Sequence, residues 1–172
     1  MLRLAGAGLV VLSAGLWGWR KAWQEETRLE QLAGWEQAIT LLKAEIGFAL
    51  RPLSEACGAI ARRLNGIVGV FWEEAGNELA SLDHAEAAHA WEAALTRCRP
   101  AMALLPADVE AVADFGRTLG YLDAQAQLAA CDLLLDYLAR ARQEGLERQQ
   151  KNGKLYKSLG LLSGLLLAVA LL

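Results

Sequence analysis

Residues 32–52 read LAGWEQAITLLKAEIGFALRP. Leu32, Trp35, Ile39, Leu42 and Ile46 recur three and four apart, the spacing that gathers side chains on one face of an α-helix. A single apolar stripe of this kind needs a partner helix to cover it. Pro52 ends the pattern, because it has no amide hydrogen and drives the residue before it out of the helical region. Stripe followed by breaker recurs along the rest of the chain. β-Branched residues are few and never alternate, so the expected fold is all-α with no sheet.

Working outward, Pro52 suits the first turn of a second helix, Leu53 to about Leu64. Asn65-Gly66 is a stop. A third helix carries Ile67, Val70, Phe71 and Leu79 and ends near Leu82. Asp83 is a good N-cap for a fourth, His84 to Arg97, with Trp91 and Leu95 on its inner face. Pro100 and Pro106 bracket a loop. Pro106 opens a fifth helix with Val109, Val112 and Leu119 inward and Asp108 and Glu110 in the first turn, where the helix dipole favours acids. Gly120 stops it, at the C′ position, and Asp123 caps the sixth. Leu128, Cys131, Leu135 and Leu138 form the stripe of this last helix. The charged stretch Arg140 to Lys157 then leads into a closing apolar run, with Gly145 and Asn152-Gly153 as expected weak points.

Both ends of the sequence are apolar. Leu4 to Trp19 is sixteen residues without charge, and Ser158 to Leu172 is fifteen. At the helical rise these span about 24 and 22 Å, against about 30 Å of bilayer hydrocarbon. Their flanks lengthen them: Trp17, Trp19 and Trp23 lie beside Arg20 and Lys21, and Tyr156 lies between Lys154 and Lys157. Aromatics with snorkelling bases mark the ends of membrane spans. The first run has no small-x-small cleavage site before Arg20, so an anchor is expected rather than a signal peptide. The division expected is an anchor at 1–19, a helical domain at 20–157 and a second anchor at 158–172. Both basic flanks face the middle of the chain, which puts the domain on the cytoplasmic side. Gly160 and Gly164 form a GxxxG, and Ala14 and Gly18 share its spacing. These four positions are the candidates for close packing of the spans.

Net charge is only −3, and 55 % of residues are apolar. The charge is unevenly spread. From Glu55 to Asp136 there are 13 acids and 5 bases, whereas from Arg140 to Lys157 there are 6 bases and 2 acids. This polarity suits an object oriented against a membrane. It offers nothing for nucleic acid, since Arg62-Arg63 and Arg97/Arg99 are few and interrupted. Three cysteines, Cys57, Cys98 and Cys131, are odd in number and unpaired in spacing, which fits a reducing compartment.

Chemistry is sparse. No P-loop, CxxC, HExxH or GxSxG motif occurs. His84 and His89 point about 140° apart on one helix and cannot share a metal. Glu73-Glu74 and Asp132/Asp136 read as solvated faces. No catalytic residue, metal site or cofactor is expected, and the chain is not expected to be an enzyme.

Four stretches are nonetheless distinctive: MLRLAGAGLVVLSAGLWG (1–18), LLKAEIGFALRPLSEA (41–56), FGRTLGYLDAQAQ (115–127) and KNGKLYKSLGLLSGLLLAVALL (151–172). On these the chain resembles the stage III sporulation protein AB family of endospore-forming bacteria, over essentially its whole length. The family is similar to the inner-membrane platform proteins of type II secretion and type IV pilus systems. The resemblance implies a six-helix cytoplasmic domain flanked by N- and C-terminal transmembrane helices. It implies a place in the membrane around the forespore, within the complex that links mother cell and forespore, with the domain in the mother-cell cytoplasm. Implied partners are a secretion-type ATPase of the same operon and other channel-complex membrane proteins, and homo-oligomer formation is left open. Leu119, Gly120, Asp123 and Gln127 are the motif residues, for a cap or for partner contact. The acidic Glu73, Glu74 and Glu78 are the candidate docking face for the ATPase. A membrane enzyme using the acidic middle, or a scaffold unrelated to sporulation, are the competing readings.

Overall fold

The computed structural model describes the backbone of residues 2–49, 52–81, 87–119 and 123–171, and the side chains of residues 23–47, 52–81, 87–119 and 123–151. Among the described residues the elements are six α-helices and no strand. They are α1 (Leu2–Ala44), α2 (Leu53–Ala61), α3 (Gly66–Ser81), α4 (Ala87–Cys98), α5 (Pro106–Thr118) and α6 (Ala124–Leu171).

Contacts divide the chain into two compact units, residues 26–142 and residues 1–25 with 143–172. In the first, the stripe of α1 is buried as its spacing requires: Leu32, Trp35, Ile39 and Leu42 are fully covered. α1 loosens into a π-helical turn, Glu45–Ala49, before Pro52. α2 starts beyond Pro52, whose carbonyl accepts the Ala56 amide at 3.1 Å. It ends sooner than its apolar pattern suggests. The last turn tightens, with Arg63 N–H bonded to Ile60 O and Leu64 N–H to Ala61 O. Gly66 then takes φ +68°, a left-handed conformation that any side chain would strain.

The core is a nest of aromatic rings from four helices. Trp35 lies 4.8 Å from Phe71 and 6.3 Å from Trp91, ring centre to centre. Phe71 and Trp72 meet Trp91 edge-on at 4.8 and 5.2 Å, and Phe115 joins at 5.6 Å. Edge-to-face pairs of this kind add about 0.5–1.5 kcal/mol each beyond the area they bury. Val68, Trp72 and Leu134 are buried although the sequence pattern did not single them out, while Val70 is 47 % exposed. On α3 the true stripe is Val68, Phe71, Trp72 and Ala75, so Val70 falls on the outer face.

α6 runs against α1 in the opposite sense: Lys43 pairs with Asp132, and Arg142 with Glu36 at 3.1 Å. Asp132 is therefore an ion-pair partner and not merely solvated. α6 is unbroken through Gly145 and Gly153. One glycine costs about 1 kcal/mol, too little to interrupt a helix with good formers on both sides.

The second unit comprises the outer parts of α1 and α6, with Arg148 3.9 Å from Glu25 at a partly exposed contact. The spans expected at 1–19 and 158–172 are not part of the fold the structure establishes. Among the described residues no helix is long and apolar enough to cross a membrane. The backbone of both apolar runs is helical, but their side chains, with Ala14, Gly18, Gly160 and Gly164, lie outside the described residues. Sixteen and fifteen residues also fall short of the ~20 that cross a bilayer unaided.

Candidate functional site

The segment FGRTLGYLDAQAQ joins α5 to α6. Phe115 and Leu119 are buried. Gly116 is the seat of Trp91: a Cβ there would lie 2.0 Å from the indole Cδ1. The indole N–H of Trp91 donates to the Val112 carbonyl at 3.0 Å, one turn earlier on α5. The Thr118 hydroxyl donates to Phe115 O at 2.7 Å, which occupies a carbonyl at the helix end. Gly120 lies outside the described residues, as do Asp83 and His84. Asp123 caps α6: its Oδ1 accepts the Ala126 amide at 2.8 Å, and its carbonyl accepts the Gln127 amide at 2.9 Å. Among the described residues, Leu119 serves the core and Asp123 the helix end.

A second constellation was not anticipated. Asp108, expected only to favour the dipole of α5, is buried. Arg28 grips it with both arms of its guanidinium, Nε to Oδ2 at 2.8 Å and Nη2 to Oδ1 at 3.0 Å. The Tyr137 hydroxyl donates to Oδ1 at 3.0 Å and the Leu105 amide to Oδ2 at 2.9 Å. One carboxylate thus ties α1, α5 and α6 together. Burial by itself would push this carboxyl up. The Arg28 guanidinium, the Leu105 amide and the Tyr137 hydroxyl outweigh it and hold the carboxyl below the usual carboxylate range. Beside it, Gln31 Oε1 accepts the Ala103 amide at 2.8 Å and pins the loop before α5 to α1.

The sequence did carry a signal for this pair. Arg28 extends the α1 stripe by one step (28, 32, 35, 39), and Asp108 extends the α5 stripe likewise (108, 112, 115, 119). Two opposite charges on two apolar faces imply a buried pair.

The acidic trio divides. Arg97 of α4 pairs with Glu74 and, at 2.8 Å, with Glu78. Glu73 has no such clamp and is exposed. It lines an open groove of about 700 Å³ between α2 and α3, with Glu55, Arg62 and Asn77. Cys57 and Cys131 are buried, and burial pushes their thiols up to about 12 and about 11. Such thiols are inert at neutral pH. Among the described residues no group of three acids, histidines or cysteines is placed to hold a metal.

Comparison with known proteins agrees with this architecture. A family model described as stage III sporulation protein AB matches residues 3–172. Stage III sporulation protein AB of Bacillus subtilis (strain 168) is 32 % identical over 173 residues, covering 100 % of both chains. A solved structure of a stage III sporulation protein AB superposes with a TM-score of 0.68 at 27 % identity, over 73 % of this chain and 98 % of that one. The chain belongs to the stage III sporulation protein AB family.

Proposed function

We propose that this protein works without catalysis, as a membrane-held platform in the channel complex between mother cell and forespore, and that a secretion-type ATPase of the same operon docks on it. The observation that carries this reading is the course of α1 and α6. Each contributes one end to the 26–142 bundle and continues as helix through an apolar run at the other. The aromatic and basic residues at the inner edge of each run suit the boundary of a cytoplasmic leaflet. In this arrangement the helical domain faces the mother-cell cytoplasm, and Gly160/Gly164 and Ala14/Gly18 let the two spans approach closely.

Alkaline extraction of membranes tests the anchor. Deleting Leu159–Leu172 is expected to release the protein, and full retention would remove this role for the run. Co-purification of the full-length protein with the ATPase, in detergent, tests the partner. Glu73→Lys is expected to weaken that association more than Glu74→Lys, because Arg97 already offsets Glu74. The loss should be greatest at low salt. Equal affinity of both variants and wild type at low salt would take the acidic face out of the interaction.

A further inference from the structure

Leu133 is the most exposed large apolar side chain among the described residues, at 77 %. It stands beside a groove of about 390 Å³ between α5 and α6, walled by Ala111, Phe115 and Leu134. Asp114 flanks the groove on the α5 side and Arg140 on the α6 side. The chain reverses between the two helices, and Tyr137 of α6 reaches Asp108 near the start of α5. The helices are therefore antiparallel, and in that register Asp114 is level with about residue 131 of α6. Arg140 then lies about 13 Å further along the groove, at 1.5 Å per residue.

We propose that this face is a two-fold interface with a second copy of the chain. A projecting leucine beside an apolar groove, with one acid and one base set apart along it, is complementary to itself. A two-fold axis midway between the charges lays Arg140 of each copy over Asp114 of the other, with the Leu133 side chains and the two grooves enclosed between them. This is the reciprocal pairing an isologous contact requires. A foreign partner needs no such balance of sign.

Both charges are available for exchange. Among the described residues Asp114 is engaged only by Arg117, three residues on and 2.6 Å away, and both are more than half exposed. Exposed pairs of that kind are held weakly. Arg140 is exposed and has no ion-pair partner among the described residues. Asp136, exposed and four residues before Arg140, falls beside the axis and near its own symmetry mate. Removing its charge should therefore tighten the contact. A face built on one groove is small, and the association it supports is a reversible one.

Sedimentation equilibrium of the full-length protein in density-matched detergent, over a concentration series, tests the proposal. Wild type is expected to be a monomer–dimer equilibrium, and Asp136→Asn to shift it towards dimer. Leu133→Asp is expected to be monomeric with unchanged helical circular dichroism and melting temperature, and Leu133→Ser serves if that variant misfolds. Asp114→Arg or Arg140→Asp alone should weaken dimerisation roughly tenfold. The double exchange Asp114→Arg/Arg140→Asp should restore it. A monomeric wild type, an undiminished Leu133→Asp dimer, or single exchanges that the double exchange does not rescue would overturn the two-fold contact and leave the groove to another partner.

Discussion

Asp108 satisfies four donors with two oxygens, from α1, α6 and the residue before α5. Asp108→Asn keeps the shape but takes the carboxylate charge away from the buried Arg28 guanidinium. Breaking one side of such a pair costs about 3–5 kcal/mol, and thermal unfolding by circular dichroism should show a loss of that order. The carboxyl is held below its ordinary value in the fold. Its stabilising effect is therefore complete above the unfolded carboxylate pKa of about 4 and is lost as pH falls through the folded value. Wild type should lose melting temperature below about pH 4, and the loss should be shallower in Asp108→Asn. Gly116 acts through space rather than charge. Gly116→Ala drives a methyl into the Trp91 ring, which is walled in by Trp35, Phe71, Trp72 and Phe115. Overpacking of this kind costs about 1–3 kcal/mol, measurable as a lower denaturation midpoint in urea. Cys57 and Cys131 should resist a thiol reagent in the native state and react once the chain is unfolded.

The elements were the most legible feature of the sequence, because their signals are local. Pro52, Asn65-Gly66, Pro106 and Asp123 each act within a few residues, and each stands at a helix boundary in the structure. Asp123→Ala should destabilise the fold by about 1 kcal/mol, the usual worth of an N-cap, visible in the same urea titration. What escaped the sequence were facts of partnership. Nothing near Arg28 announces that its acid lies 80 positions away, although each breaks an apolar stripe at its edge. Glu74 and Glu78 look like free surface acids until α4 brings Arg97 to them. The inner face of α3 is likewise set by its neighbours: Val68, Phe71 and Trp72 are buried and the two rings meet Trp35 of α1 and Trp91 of α4, while Val70 is exposed.

At the scale of the molecule, every member of the apolar core among the described residues falls within 26–142. That unit should fold alone. Expressed without the remaining residues, it is expected to be helical and to melt in one cooperative step, coincident by circular dichroism and fluorescence. A broad, non-coincident melt would show that it needs the outer helices. The same unit also carries its own optical gauge. Trp35, Trp72 and Trp91 have ring centres 5.2 to 6.3 Å apart, from three different helices. Indoles fixed this close in asymmetric surroundings should give the fold a strong near-ultraviolet dichroic signal. Because the signal depends on α1, α3 and α4 being in register, its collapse reports the loss of tertiary order even where helix content persists. Swelling of the core can thus be told apart from unwinding, with no label attached.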